Sequence, residues 1–144
     1  MGNRRNAREL AVKTLFHLEF NTDDPDEACE LISQNFDPRR TNSKFSKELV
    51  AGVCENMEDL NRLISQTSRH WRLERMPRVD RCILRLAVFE FLFREDIPPR
   101  VTIDEAVDIG KRFGSENSGS FINGVLDSIY TALMHQGHFK ENHK

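Results

Sequence analysis

Val79-Asp80-Arg81-Cys82-Ile83-Leu84-Arg85-Leu86-Ala87-Val88-Phe89-Glu90-Phe91-Leu92-Phe93 is the stretch that decides the fold. Pro77, just ahead of it, suits a helix start, and Ile97-Pro98-Pro99 breaks the helix behind it. Between them the apolar residues go almost all the way round a helix. Such a helix is buried on every side, which places it at the centre of the molecule. The mostly apolar run from Cys82 to Phe93 is twelve residues and already carries Arg85 and Glu90. It is too short to span a bilayer.

Outward from this segment the apolar spacing stays helical. Ala7, Leu10, Ala11, Leu15 and Leu18 make one stripe, widened by Val12, Phe16 and Phe20. Asp24-Pro25 with Glu27 reads as a capped start, and Ala28, Leu31, Ile32 and Phe36 share a face that Asp37-Pro38 ends. From about Ser43 one long helix carries Phe45, Leu49, Val53, Leu60, Leu63 and Ile64. Downstream, Val101-Thr102-Ile103-Asp104-Glu105 has the form of a capping box, with Thr102 as cap and Glu105 reaching back. That helix closes with Lys111, Arg112 and Gly114. A last helix from about Ser118 buries Ile122, Val125, Leu126, Ile129 and Leu133, and Gly124 within it suggests a close helix approach. No segment of useful length alternates with period two. The fold expected is all-α, with six or seven helices.

The chain has 144 residues, 38% hydrophobic and 31% charged, which suits one soluble globular domain. Seven Gly and five Pro are too few for a sandwich or barrel rich in turns. Cys29, Cys54 and Cys82 are odd in number and far apart, so a reducing cytoplasm is expected instead of a disulfide framework. Arg4 and Arg5 have no apolar stretch behind them, so no signal peptide is expected. The net charge of -2 hides local patches: residues 69–85 carry six arginines against Glu74 and Asp80, while residues 21–60 are acidic. A polyanion could therefore be met only locally.

Catalytic constellations are poor. Gly114 to Gly119 has the outer spacing of a phosphate loop, but Ser120-Phe121 stands where its Lys-Ser/Thr should follow. Gly119 and Gly124 lack the strand and nucleophile elbow of a serine hydrolase. His135, His138 and His143 have no cysteine pair to complete a metal site and read as a solvated tail. Asp104, Glu105 and Asp108 are accounted for by capping and exposure. Neither enzyme chemistry, nor a metal, nor a cofactor, nor a small-molecule substrate is expected.

The basic residues say more. Arg4, Arg5 and Arg8 open the first helix, where cations oppose the helix dipole, so either an anionic partner or a frayed start explains them. Arg69, Arg72, Arg75, Arg78, Arg81 and Arg85 surround Trp71. Arginine contacts to phosphate are one reading, and snorkelling with Glu74 and Asp80 as partners is the plainer one. Phe121 follows Asn117-Ser118-Gly119-Ser120 at a helix start, where a ring could stack a base beside free amides or simply fill the core.

The ordered set of motifs resembles the NusB family of bacterial transcription antitermination factors. The motifs are Asn3-Arg4-Arg5-Asn6-Ala7-Arg8-Glu9 with Ala11 and Leu15, Val79-Asp80-Arg81 leading into Ile83-Leu84-Arg85-Leu86-Ala87, and Pro98 with Val101-Thr102-Ile103-Asp104-Glu105-Ala106-Val107. Lys111, Phe113-Gly114 and Phe121-Ile122-Asn123-Gly124-Val125-Leu126-Asp127 complete them, so the resemblance spans residues 3 to about 130. It implies two packed helical bundles, about 1–70 and 77–137, with 138–144 as a flexible tail. It also implies binding of single-stranded boxA RNA together with NusE, a small-subunit ribosomal protein, in a complex that joins RNA polymerase and supports transcription of ribosomal RNA operons. Arg4, Arg5, Arg8, Asn117, Ser118 and Phe121 would lie on the RNA path, and Asp80 and Arg81 toward NusE. Ser120 stands where relatives often carry a basic residue, and Gly110 where they commonly carry Ala. Two other readings are the similar domain of RNA cytosine methyltransferases and a protein-only adaptor.

Overall fold

The computed structural model describes residues 2–36, 43–68 and 72–139. Among them are seven α-helices and no strand: α1 (Gly2–Leu18), α2 (Pro25–Phe36), α3 (Ser43–Glu55), α4 (Met57–Thr67), α5 (Arg78–Phe93), α6 (Pro99–Phe113) and α7 (Ser118–His135), with a 3-10 turn at Leu73–Arg75. The all-α architecture expected from the sequence is thus the one observed. α1, α2 and α3 pack on one another, and α4, α6 and α7 surround α5. α4, which the sequence reading groups with the N-terminal bundle, lies chiefly against α5 and α7 and meets α3 only lightly.

α5 is the centre because its sequence leaves it no polar face. Asp80 and every residue from Cys82 to Phe91 are buried, and α1, α3, α4, α6 and α7 all pack on it. Gly52 of α3 permits the closest of these approaches, since a Cβ there would run into the ring of Phe89. Gly124, the glycine that suggested close packing, is exposed and has open space where a Cβ would stand. That expectation is corrected: the glycines without room for a Cβ include Gly52 and Gly110, and a Cβ at Gly110 would meet Ile122 Cδ1 at 2.6 Å.

Two boundaries also differ from the sequence reading. The long helix expected from Ser43 to Ile64 is two, interrupted at Asn56, whose side-chain Nδ2 donates to the Gly52 carbonyl at 2.8 Å. A short amide bonded to a nearby backbone carbonyl competes with helix continuation. The bend lets Val53 before it and Leu60 and Ile64 after it all reach full burial. α6 begins at Pro99 with Pro98 as its N-cap, so Thr102 lies inside the helix and is no cap. Proline's fixed φ starts the helix a turn before the Thr-Glu pattern.

Other local signals hold. Asp24 Oδ2 accepts the Asp26 and Glu27 N–H groups at 3.0 and 3.2 Å ahead of α2. The stop expected at Asp37-Pro38 lies outside the described residues, as do Arg69, Trp71 and His143. α7 ends in a Schellman turn: Gly137 has φ 77°, its N–H donates to Met134 O, and that of His138 donates to Leu133 O. The turn carries Phe139 onto Tyr130 and Phe91, at 5.1 and 5.8 Å between centroids, and a 2.8 Å hydrogen bond joins His138 Nε2 to the Phe91 carbonyl. These two residues of the expected tail are packed on α5 and α7.

Candidate nucleic-acid interface

The arginines of the first two turns of α1 face acids of α5, α6 and the α5–α6 connection. Arg5 donates through Nε and Nη2 to both Glu105 oxygens at 2.9 and 2.8 Å, and through Nη2 to Asp108 at 3.1 Å. These bonds raise the Arg5 pKa above its usual value and hold the Glu105 carboxyl below its own, in each case chiefly through the Arg5–Glu105 hydrogen bond. Arg4 reaches Asp96 at 3.3 Å and lies over the Phe45 ring at 4.6 Å. Asp96, bonded first by Arg94 and then by Arg4, has its carboxyl pulled down to about 2. Arg8, expected on the RNA path, is instead interior. It is 4% exposed and donates through Nε and Nη2 to both oxygens of buried Glu90 at 2.8 and 3.1 Å. Thr102 Oγ1 donates to the same Glu90 carboxylate at 2.8 Å.

The contacts continue down the helix. Arg112 Nη1 donates to Glu9 at 2.7 Å, and Lys13 Nζ lies over the rings of Phe36 and Phe113 at 4.1 and 5.2 Å. Residues 5, 9 and 13 thus meet 105 and 108, 112, and 113 in turn, so α1 and α6 run in one direction without close backbone packing. A row of long side chains bridges them.

The second group of expected RNA residues lies at the far end of α6. Gly114 ends α6 in extended backbone, and a Cβ there would collide with the Ser118 side chain. Asn117 is exposed at the N-cap of α7, and Phe121 is half-buried against the core. Ser118 is buried: its hydroxyl accepts the Ser115 N–H at 2.9 Å and donates to Asp80 Oδ1 at 2.8 Å. Asp80, expected to face a partner, is therefore 2% exposed, and burial raises its pKa against the lowering effect of Ser118.

Arg81 and Arg85 are not served by Glu74 or Asp80, as the sequence reading had it. Both pair with Glu19, at 3.1 and 2.8 Å, with Arg78 a further 3.8 Å neighbour. Glu19 follows α1, in a segment whose distance in sequence hid the pairing. Beside it, Phe16 and Phe20 stack edge to face at 5.2 Å, 36% and 56% exposed, and Arg78 lies over Phe20 at 4.7 Å. In sequence this aromatic pair belongs to the helix stripe, and only its exposure reveals it as surface. Among the described residues no helix is long and apolar enough to cross a membrane, and no group of three or more His, Cys, Asp and Glu could hold a metal ion.

Fold and site together define an all-helical protein of two packed bundles, with an arginine-rich first helix bridged by ion pairs to the sixth. A sequence model described as "NusB family" matches residues 5–131. The transcription antitermination protein NusB of Desulfatibacillum aliphaticivorans is 50% identical over 133 residues, 92% of this chain and 93% of the relative. The chain belongs to the NusB family. It resembles the solved NusB of T. maritima with a TM-score of 0.80 at 42% identity, covering 89% of this chain and 90% of that one. A structure of antitermination factors NusB and NusE in complex with dsRNA also gives 0.80, at 27% identity, covering 92% and 98%.

Proposed function

We propose that this chain is a cytoplasmic, non-catalytic transcription antitermination factor. It binds single-stranded boxA-type RNA together with NusE and so supports processive transcription of ribosomal RNA operons. One observation carries the reading: on a chain of this family, α6 links the half-exposed arginines to the Asn117–Phe121 corner. From Glu105 to Gly114 that is about 14 Å of helix at 1.5 Å per residue, a few nucleotides of extended RNA. Arg4 and the Nη1 edge of Arg5 offer donors to phosphates, Asn117 offers polar atoms, and Phe121 offers a ring for a base. Arg8 and Ser118 act from the interior, holding the two helix starts. NusE docks at the start of α5, where Arg81 shares Glu19 with Arg78 and Arg78 lies over the exposed Phe20. Asp80 links that surface to the RNA side through Ser118.

Fluorescence anisotropy with labelled boxA RNA, single-stranded and as a duplex, tests this with and without NusE over a range of salt. The single strand should bind better, and NusE and RNA should strengthen each other by the same factor. Replacing Arg4 and Arg5 by Ala should weaken binding and cut the salt slope by about 0.7 per lost phosphate contact. Phe121→Ala should weaken it by about 1–3 kcal/mol with the slope unchanged. A parent protein that binds neither RNA, alone or with NusE, would overturn the reading.

A further inference from the structure

Glu105 belongs to the Thr-Glu motif that proved not to cap a helix, so its place in the sequence needs another reason. It is largely buried, at 17% side-chain exposure, yet its carboxylate takes two donors of an arginine that is 44% exposed. The bidentate pair occupies the Arg5 Nε and part of Nη2, and Asp108 takes a further Nη2 bond. The two Nη1 hydrogens are the donors left over. Arg8 Nη1 stands 3.9 Å from Glu105 and is itself fixed by Glu90, which Thr102 also holds. A continuous chain of contacts therefore runs from the buried centre of α5 out to the Arg5 guanidinium.

We propose that Glu105 is a positioning residue for RNA binding: it clamps one edge of Arg5 so that the Nη1 edge is presented to a backbone phosphate. The inference rests on the RNA-binding reading above. A free arginine side chain loses rotamer freedom when it binds, and a clamped one has lost it already. The charge of Glu105 acts the other way, since a carboxylate near a phosphate repels it. The two effects predict opposite signs for the same substitution.

The experiment uses labelled single-stranded boxA RNA and the full chain, comparing the parent with E105Q, E105D, D108N and R5A over a range of salt. Thermal melts and circular dichroism are recorded for each. R5A should bind more weakly than the parent. E105Q should bind about three- to tenfold more weakly, with a shallower salt slope, although it makes the protein more positive. E105D keeps the charge but shortens the reach, and should weaken binding too. D108N makes the same charge change as E105Q at an exposed acid with a single bond to Arg5, and should bind as well as the parent or better. If E105Q binds as tightly as the parent or more tightly, with E105D like the parent, Glu105 only screens Arg5 and the inference is overturned. Should E105Q not fold, E105D decides alone: weaker binding supports the clamp and parent-like binding removes it. If R5A binds like the parent, the RNA contact at Arg5 fails, and the clamp with it. That result is distinct from a weakened R5A beside an unaffected E105Q and E105D.

Discussion

The starts of α1 and α7 are each held by a carboxylate of α5 that has been taken out of water, and the two carboxylates are served differently. Glu90 meets a full opposite charge, Arg8, and a hydroxyl, Thr102. Asp80 meets the neutral Ser118 hydroxyl, and burial raises its pKa. A buried ion pair costs desolvation to build but is dear to break, because either partner alone is stranded. A buried acid with a neutral partner can shed its charge and lose little. The first junction is therefore rigid and intolerant, and the second adjustable.

The largest expected effect tests the first junction. Glu90→Ala strands the Arg8 guanidinium in the interior and should cost about 3–5 kcal/mol in urea unfolding. Adding Arg8→Ala should recover part of that loss, and a double variant no better than the single would break the comparison. Next comes Ser118→Ala, which leaves Asp80 and the Ser115 N–H without the hydroxyl that serves both. A loss of about 1–3 kcal/mol is expected, and a loss as large as that of Glu90→Ala would put the two junctions on an equal footing.

The smallest effect concerns Asp80→Asn, which keeps an acceptor for Ser118 and removes the charge. The folded pKa of Asp80 is raised, so the folded chain holds the proton more tightly than the unfolded one. Its charged form therefore lowers stability near neutral pH, and that penalty fades as the pH falls through the folded value. Asp80→Asn should be within about 1 kcal/mol of the parent near pH 7, on the stable side, with the difference closing toward about pH 3. Unfolding curves across that range settle the sign. A large loss at neutral pH would show that the Asp80 charge is needed.

Much of this was legible in the sequence, because helices report themselves through spacing, and a helix with no polar face can lie only at the centre. Asp24-Pro25, Pro77, Lys111-Arg112-Gly114 and the α7 stripe were readable for that reason. What escaped was set by contacts across the fold. Asn56 interrupts a helix where its side chain bonds the Gly52 carbonyl, which apolar spacing does not register. Gly52 and Gly124 look alike locally, and only Phe89 distinguishes them. Thr102-Glu105 satisfies a capping pattern, yet Pro98-Pro99 had already opened the helix. The arginines were visible as a group, but their partners Glu19, Glu90, Glu105 and Asp108 lie 59 to 103 residues away in the chain. A clue was present in Glu90, a charge in the last turn of a helix buried on all sides, which demands a partner.

The position of α5 also has a consequence for synthesis. Chains emerge from the ribosome N-terminus first, at about 5–20 residues per second. The helix that α6 and α7 must cover is finished at Phe93, whereas the last contact on it among the described residues, from Phe139, comes 46 residues later. For a few seconds at those rates the nascent chain carries a finished N-terminal half and an apolar rod with two sides still bare. The protein closes only when translation of its last helix is complete, so a pause between Phe93 and Ser118 would expose the rod to aggregation or chaperone capture.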